Sequence, residues 1–364
     1  MPIEISHIGG APMTKCSPRQ TPGLLERLAS GPIICAEGYL FELERRGYLQ
    51  AGAFVPEVVL EHPEEVKQLH REFVHAGSDV VEAFTYYAHR EKLRIIGKEE
   101  LLEPLNRQAL AIAKEVAEES DALLAGDICN TNIYDPADPD THRQVRAMFE
   151  EQVGWAAEAG VDYIIGETFG YAAEALVALD VIRATGLPAV ITLTFHRAPV
   201  TREGLTPEEA CRRLAGAGAD VVGLNCSRGP WTMLPLLARI CSAVDVHVAA
   251  LPVPYRTHDK EPTFQSLRDP ECDSLPSDMP FPTALDPFTC NRYEIADFTR
   301  KARGLGASYF GVCCGAAPHH IRSMAEALGR TPPASKYSPD LSKHAYFGSD
   351  STLRRHNVGF RDEL

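Results

Sequence analysis

The chain has 364 residues, of which 45% are hydrophobic, and its formal net charge is −14 at pH 7. This length and apolar content are enough for one barrel-sized domain, or two smaller ones, with a large core. The excess of acidic residues argues against nucleic acid or an anionic membrane as a partner, because both demand basic patches.

The first residues contain no basic segment followed by a long apolar run, and nowhere do eighteen apolar residues occur in succession. We therefore expect a cytoplasmic protein without a membrane span. Ten cysteines are too few and too scattered for a secreted disulfide scaffold, which favours reduced thiols. Residues 1–24 are rich in glycine, proline and polar residues and predict an extended N-terminal arm.

A short segment that ends in a buried strand recurs along the chain. Residues 76–84 read AGSDVVEAF, and similar segments occur at 159–167, at 217–225 and, more loosely, at 305–313. In each copy a glycine ends a helix, a turn follows and an apolar strand begins. The other predicted strands cover residues 32–36, 122–128, 189–194 and 246–251.

Apolar residues recur at helical spacing between these strands. The predicted helices cover residues 64–76, 104–118, 142–159, 172–184, 207–217, 234–242, 292–305 and 319–328. Eight strands that alternate with eight helices predict an α/β protein with a (β/α)8 TIM barrel over residues 25–330. An open doubly wound sheet is the alternative, but no G-x-G-x-x-G follows a strand. Residues 331–364 form a polar C-terminal tail without a core pattern.

Three cysteines follow two of the predicted strands. Cys226 follows the strand at 221–225, and Cys313 and Cys314 end the strand that begins at residue 309. The carboxyl ends of parallel strands meet at one mouth of a barrel, so the three thiols are expected there. Three thiolates hold Zn²⁺ and leave its fourth tetrahedral position open, which is the arrangement of catalytic zinc. Ordinary buried cysteines, or a strained disulfide between the adjacent pair, are the alternatives.

The same repeat brings Glu167 and Asn225 to the mouth. Adjacent side chains on an ideal strand point to opposite faces, so Cys313 and Cys314 share an ion only where the chain bends. Gly315 permits such a bend. An irregular segment over residues 251–288 is long enough to cover the mouth.

The predicted ligand set also restricts the chemistry. Zinc with three thiolate ligands has a net charge of minus one, so it is a poor Lewis acid for hydrolysis. It can instead keep an incoming thiol deprotonated at neutral pH. Three thiolates with an open position therefore indicate alkyl transfer to sulfur.

Two motifs, GLNC at 223–226 and GVCCG at 311–315, resemble the zinc motifs of the homocysteine S-methyltransferase family. Similarity to betaine-using members continues at 43–48, 61–64 and 68–73, among other segments, and spans roughly residues 32–335. The resemblance implies a zinc-bearing (β/α)8 barrel. It also implies methyl transfer from glycine betaine to homocysteine, which gives dimethylglycine and methionine.

Carried over residue by residue, the resemblance makes Cys226, Cys313 and Cys314 the zinc ligands. Glu167 would be the catalytic carboxylate at a strand end that contacts the amino group of homocysteine. A helix N-terminal carboxylate or an internal salt bridge is the alternative role for Glu167.

The resemblance also implies a donor pocket. Tyr87 matches a tyrosine of the betaine pocket, and Phe54 stands where animal betaine enzymes have tryptophan. Aromatic rings suit such a pocket on independent grounds, because a quaternary ammonium has no hydrogen-bond donor and is best held by ring faces. Phe54, Tyr86 and Tyr87 are therefore candidates for an aromatic cage, and core packing is the alternative for each.

Two departures from the family pattern concern the substrate-binding candidates. The family usually has Asp-Gly at the end of its first strand, whereas this chain has Ala36-Glu37-Gly38, so Glu37 is the candidate to replace the aspartate. Thr168 stands where animal enzymes have tyrosine, which leaves the fourth zinc ligand open. Glu37, Thr168 and Asn225 complete the predicted substrate site.

Other functions are compatible with these residues. The same acceptor could take its methyl group from a sulfonium donor such as S-methylmethionine or dimethylsulfoniopropionate. A cobalamin- or folate-dependent methionine synthase is disfavoured, because the chain has no room for the extra domains. A zinc-binding barrel without catalysis is favoured only by the altered first strand. We expect homocysteine and a methylated onium donor as small-molecule partners, and a homo-oligomer.

Overall fold

The computed structural model describes residues 22–275 and 277–364, so the predicted N-terminal arm lies outside the described residues except for residues 22–24. The described residues form eight parallel strands that alternate with helices. The strands are β1 (Ile33–Ile34), β2 (Val80–Glu82), β3 (Leu123–Cys129), β4 (Tyr163–Phe169), β5 (Ala189–Leu193), β6 (Val221–Asn225), β7 (His247–Leu251) and β8 (Tyr309–Phe310).

The α-helices of the described residues range from 4 to 21 residues in length. They are α1 (Leu24–Ser30), α2 (Tyr39–Arg45), α3 (Val58–Glu61), α4 (Pro63–Ala76), α5 (Arg90–Ile96), α6 (Leu102–Ser120), α7 (Pro139–Ala159), α8 (Ala172–Ala184), α9 (Pro207–Gly216), α10 (Pro230–Cys241), α11 (Arg292–Leu305), α12 (Pro318–Ala327) and α13 (Arg355–Gly359). Within residues 22–275 and 277–364, none of them combines the length and the apolar character that a bilayer crossing demands.

The strands form one closed ring. Each strand pairs in parallel with the next one around the sheet, in the order β1-β8-β7-β6-β5-β4-β3-β2. Between β1 and β2 the ring is completed by a bridge from Cys35 to Val80 and by the Asp79 N–H, which donates to the Ile34 carbonyl at 2.7 Å. This arrangement confirms the predicted (β/α)8 barrel, with all carboxyl ends of the strands at one mouth.

Glycine ends the helix as expected in three of the four copies of the recurring segment, whereas Ala217 caps α9 in the copy at 217–225. Gly77, Gly160 and Gly306 cap α4, α7 and α11 with φ angles of 116°, 79° and 110°, in the left-handed region where glycine pays no steric cost. Each cap is followed within a few residues by a buried strand. The repeat therefore marks the point where the chain leaves a helix and re-enters the barrel.

Two details differ from the sequence predictions. The eighth strand ends at Phe310 rather than at Cys313, so the two neighbouring cysteines lie in the turn beyond it. Helices α1, α2, α3, α5 and α13 have no predicted counterpart. They contain seven residues or fewer, which is too short for apolar periodicity to be read over a helical window.

The amino-terminal end of the barrel is closed by side chains. Leu24 and Leu28 of α1 join a buried cluster with residues of the strands, and the hydroxyls of Tyr163 and Tyr309 lie 2.8 Å apart inside it. A larger apolar layer between the strands and the outer helices contains most of the other buried residues. Because side chains fill this end, the barrel interior is open to small molecules from the carboxyl-end mouth.

The tail beyond the barrel contacts the outer helices. Ser335 Oγ donates to Glu326 Oε1 at 2.8 Å, and the Arg330 guanidinium pairs with Asp79 beside the β1–β2 closure. Short 3-10 helices cover Pro333–Tyr337 and Leu341–Lys343. The first part of the tail is therefore ordered against α12, although its sequence has no core pattern.

We expect Gly223→Ala to destabilise the barrel. A Cβ at this position of β6 would lie 2.1 Å from the Ala249 carbonyl oxygen of β7, and backbone cannot move aside as a flexible side chain can. Overpacking of this kind should lower the free energy of unfolding by about 1 to 3 kcal/mol, measured by urea denaturation.

Gly216→Ala is the matched control. Gly216 is exposed at the end of α9, with nothing within 4 Å of the new Cβ, so stability should stay the same or rise by about 0.5 kcal/mol. Equal effects of the two substitutions would contradict the steric explanation.

Candidate active site

Three cysteine sulfurs converge at the mouth of the barrel. Cys226 Sγ lies 3.7 Å from Cys314 Sγ, which lies 3.9 Å from Cys313 Sγ, and all three sulfurs are within 4.8 Å of one another. Cys226 and Cys313 are buried, whereas Cys314 is half-buried. The adjacent cysteines therefore point to the same side of the chain.

Local backbone geometry makes this convergence possible. After β8 the chain turns at Gly315, whose φ is 93°, and a Cβ there would lie 2.3 Å from the Tyr255 hydroxyl. Cys226 and Ser227 have φ angles of 59° and 54°, which non-glycine residues rarely adopt. Both strands are therefore followed by turns, so the cysteine side chains need not alternate between the two faces of a strand.

Positive φ angles are concentrated around one cavity. Seven described residues other than glycine have them, and all except Asp121 line a cavity of about 350 Å³ next to the thiols. The six are Phe54, Tyr87, Asn132, Thr168, Cys226 and Ser227. Such strain costs of order 1 to 3 kcal/mol per residue and is typical of functional sites.

The three thiols suit a tetrahedral zinc ion. Zn–S bonds of ~2.3 Å in tetrahedral geometry separate the sulfurs by about 3.8 Å, close to the separations of Cys314 from its two neighbours. Hydrogen bonds with Cys313 and Cys314 hold the pKa of the Cys226 thiol well below its usual value, and the same contacts raise the pKa of the other two. The cluster thus shares protons among its sulfurs, and a metal ion can replace those protons.

The opposite half of the mouth is acidic. Glu37, Glu82, Asp127 and Glu167 come from the first four strands or the residues just after them, and each is at most 5% exposed. Oxygens of Glu82, Asp127 and Glu167 lie within 4.8 Å of one another, and Glu37 and Glu167 lie within the same distance of Cys313 Sγ. In the described part of the chain no lysine, arginine or histidine hydrogen-bonds to these carboxyl groups.

Burial dominates the protonation of this cluster. It raises the pKa of Glu37 to about 8, and burial together with neighbouring carboxylates raises the pKa of Glu82, Asp127 and Glu167 well above their usual range. Neither carboxyl oxygen of Glu37 has a hydrogen-bond partner among the described residues. A small cavity of about 30 Å³ lies between these carboxyl groups and Cys313 and Cys314, with room for a group that carries positive charge.

Asn225 connects the two halves, because it precedes Cys226 in sequence and its Nδ2 also lies 3.9 Å from Cys313 Sγ. Its Nδ2 donates to Glu167 Oε2 and, at 2.9 Å, to Thr168 Oγ1, while its Oδ1 accepts from the Thr168 N–H at 2.9 Å. The Thr168 hydroxyl donates to Glu167 Oε2 at 3.2 Å. The predicted residues Glu167, Thr168 and Asn225 therefore form one buried network that orients the Glu167 carboxyl group.

The 350 Å³ cavity has an aromatic wall. Phe54, Tyr86 and Tyr87, the candidates for an aromatic cage, line it together with Phe41, Phe264 and Phe281. The Tyr86 and Tyr87 ring centroids are 4.2 Å apart, and the Lys92 ammonium lies 3.8 Å from the Tyr87 centroid. At least one face of Tyr87 is therefore already in contact with a cation.

Several lining residues were not predicted. Phe264 and Phe281 lie in the irregular segment after β7, where no periodicity marks their direction. Glu82 and Asp127 did carry a signal, because a carboxylate inside an otherwise apolar strand is seldom buried without a reason. Arg202 and Asn132 lie in loops after β5 and β3, and only the closed barrel brings them to the cavity.

Sequence comparisons identify similar proteins. A family model described as Homocysteine S-methyltransferase matches residues 35–328. Betaine-homocysteine S-methyltransferase 1 of Xenopus tropicalis is 37% identical over 339 residues, which cover 90% of this chain and 80% of that protein. S-methylmethionine-homocysteine S-methyltransferase BHMT2 of Rattus norvegicus is 36% identical over 343 residues, which cover 91% of this chain and 88% of that protein.

Solved structures share the fold. The metallated form of the homocysteine methyltransferase MmuM from Escherichia coli superposes with a TM-score of 0.65 at 17% identity, covering 83% of this chain and 99% of that one. The apo form of the same protein gives a TM-score of 0.59 at 16% identity. At these identities the likeness concerns the architecture of the barrel.

We expect Asn225→Ala to destabilise the metal-free, reduced protein. The change removes the donor to Glu167 and leaves the buried Thr168 N–H without its acceptor, which should lower the free energy of unfolding by roughly 2 to 4 kcal/mol. Urea denaturation measures the change.

Asn130→Ala serves as the comparison. The half-buried Asn130 amide makes one hydrogen bond, to the Thr168 carbonyl at 3.1 Å, and loss of this bond should lower the free energy of unfolding by about 1 kcal/mol. Equal losses would show that Asn225 does not hold the network together.

Proposed function

Because the chain belongs to the homocysteine S-methyltransferase family, we propose that it transfers a methyl group from glycine betaine to homocysteine with the help of a zinc ion. The products are dimethylglycine and methionine. The observation that carries the proposal is the convergence of Cys226, Cys313 and Cys314 beside an aromatic-walled cavity.

Cys226, Cys313 and Cys314 would hold the metal. When bound there, zinc supplies the positive charge that keeps the thiol of homocysteine deprotonated at neutral pH. Cys226 and Cys314 also line the larger cavity, so a thiolate next to them faces the space where a donor fits. The short distance between acceptor and donor sites favours direct transfer.

The acidic half of the mouth suits the amino acid part of the acceptor. Glu167 accepts hydrogen bonds from Asn225 and Thr168, which hold its carboxyl group beside Cys313. An ammonium group in the small cavity would offset the buried carboxylates that otherwise have no cationic partner. Glu37, with both oxygens free of hydrogen bonds among the described residues, is the second carboxylate for this ammonium.

The aromatic wall suits the methyl donor. The rings of Phe54, Tyr86 and Tyr87 line the space where a methylated ammonium would bind, at about 0.5 to 2 kcal/mol for each contact with a ring face. The homocysteine sulfur forms a bond to one N-methyl carbon while the C–N bond breaks. The bonding electrons stay on nitrogen, and dimethylglycine leaves as a neutral amine. Orientation and desolvation of the two reactants account for much of the rate.

A sulfonium donor is the second candidate. The relative from Rattus norvegicus, named for S-methylmethionine, is 36% identical to this chain, against 37% for the betaine enzyme of Xenopus tropicalis. A ring cage binds methylated sulfonium and methylated ammonium by the same attraction. In that case the C–S bond of the donor breaks and a neutral thioether leaves.

We expect the zinc-loaded protein to form methionine from homocysteine and glycine betaine. Parallel reactions with S-methylmethionine and dimethylsulfoniopropionate, followed by chromatography of methionine, identify the donor. Methionine with a sulfonium donor alone would replace the betaine proposal by the second candidate. A folded, zinc-loaded protein that makes no methionine from any of these donors would reject both.

We expect Cys314→Ser to lose bound zinc, which atomic emission would measure as a fall from about one ion per chain to well below half. Methionine formation should fall at least roughly hundredfold, since even losses outside the ligand shell cost 10- to 100-fold. Cys272→Ser is the control, because Cys272 is half-exposed in the segment after β7 and far from the metal ligands in sequence. Full zinc content in the Cys314 variant would remove Cys314 from the ligand set.

A further inference from the structure

The 350 Å³ cavity has two chemically different sides. Its aromatic side comes from α2, from the residues after β2 and from the segment after β7. Its polar side comes from the loops after β3, β4 and β5, with Asn132, Tyr171 and Arg202. Arg202 is the one lysine or arginine among the described residues that line the cavity. The cavity therefore has an aromatic wall, against which the Lys92 ammonium lies from outside the lining residues, and Arg202 supplies a permanent positive charge on the other side.

The backbone at Arg202 is held in a defined position. The Thr201 N–H donates to the Leu205 carbonyl at 2.8 Å, and the Leu205 N–H donates to the Thr201 hydroxyl at 3.0 Å. The Arg202 N–H donates to the Gly170 carbonyl at 2.9 Å, which joins this turn to the end of β4. These hydrogen bonds fix the backbone position of Arg202.

The Arg202 side chain is exposed, and its charge acts on the nearby Glu174 carboxyl group without a hydrogen bond or an ion pair between them. The side chain crosses Gly170, where an added Cβ would lie 3.3 Å from its Nε, and its guanidinium carbon lies 5.5 Å from the Tyr171 ring centroid. Within residues 22–275 and 277–364 its guanidinium makes no ion pair and no hydrogen bond. Its five N–H donors are therefore available to an anion in the cavity.

The thiol side of the cavity does not suit an anion. Cys226 and Cys314 line the same cavity, the buried carboxyl groups lie beneath them, and Glu174 adds a further carboxyl group, held by the Thr131 N–H at 2.8 Å. A donor carboxylate next to the thiols would lose its hydration without gaining a cationic side chain among the described lining residues on that side. At Arg202 the same carboxylate meets a planar fork of donors.

We propose that Arg202 binds the carboxylate of the methyl donor and so selects onium carboxylates, with the onium group turned toward Cys226 and Cys314. This inference rests on the proposed function and adds the class of donor to it. Glycine betaine and dimethylsulfoniopropionate belong to this class. Choline, tetramethylammonium and trimethylsulfonium, which have no carboxylate, do not.

The test compares ligands with and without a carboxylate by titration calorimetry on the zinc-loaded protein with homocysteine present. Arg202→Ala should weaken glycine betaine and dimethylsulfoniopropionate roughly tenfold, the size of one charge-assisted hydrogen bond. Tetramethylammonium and trimethylsulfonium should bind both proteins equally. Arg202→Lys should recover part of the affinity, because lysine keeps the charge but loses the fork.

Arg212→Ala is the matched control, since it removes the same charge from the exposed face of α9 and leaves the cavity intact. Kinetic assays with the donor that gives methionine should show a raised KM and little change in kcat for Arg202→Ala. Equal loss for ligands with and without a carboxylate, no loss for either, or no binding of any onium carboxylate to the unaltered protein would overturn the inference. Selective loss of carboxylate binding without methionine formation would uphold it and reject the proposed function alone.

Discussion

The parallel register of the closed sheet is the constraint on which the site depends. Leu224 of β6 pairs with Ala250 of β7, which pairs with Phe310 of β8, so these strands reach the same level of the barrel. The residues just beyond them, Cys226 and the pair after Phe310, therefore leave the sheet side by side. Residues almost ninety positions apart in sequence then meet within sulfur contact distance.

The register also separates charge around the mouth. Carboxyl groups lie on or just after β1 to β4, whereas the thiols lie just after β6 and β8. Asn225 lies between the two halves and hydrogen-bonds to both Glu167 and Thr168. A buried polar network of this kind stabilises the fold when every member is hydrogen-bonded and destabilises it when one member has no partner. The unpaired oxygens of Glu37 thus mark the part of the mouth that a positively charged ligand would complete.

Much of the fold could be predicted from local patterns. Glycine at helix ends, followed by apolar runs, identifies the strands, because a left-handed cap and a fully buried strand have strong sequence requirements. The predicted helices 172–184 and 292–305 match α8 and α11 at both ends. Short helices such as α2 and α5 could not be predicted, since one or two turns give no measurable period. Their positions depend on contacts with the barrel.

Apart from the aromatic residues that the family resemblance supplied, the site was predictable where a residue lies at or near the end of a strand. Glu167 and Asn225 lie near the ends of β4 and β6 and the three cysteines lie just beyond β6 and β8, and barrel topology alone implies that they share a mouth. Phe264, Phe281 and Arg202 come from long connections, whose course depends on packing against the finished barrel. No pattern in a connection of that kind indicates which side chains will point inward.

The sequence by itself determined the alternation of strands and helices, the thiols at two strand ends and the family to which the motifs point. Only the tertiary structure decided that neighbouring cysteines share one side of the chain, that four carboxyl groups converge, and that Arg202 lines the cavity. A local sequence pattern indicates whether a residue lies in a strand, a helix or a turn, because these depend on its neighbours in sequence. Distances between strand ends and loops depend on closure of the whole ring, which no single segment encodes.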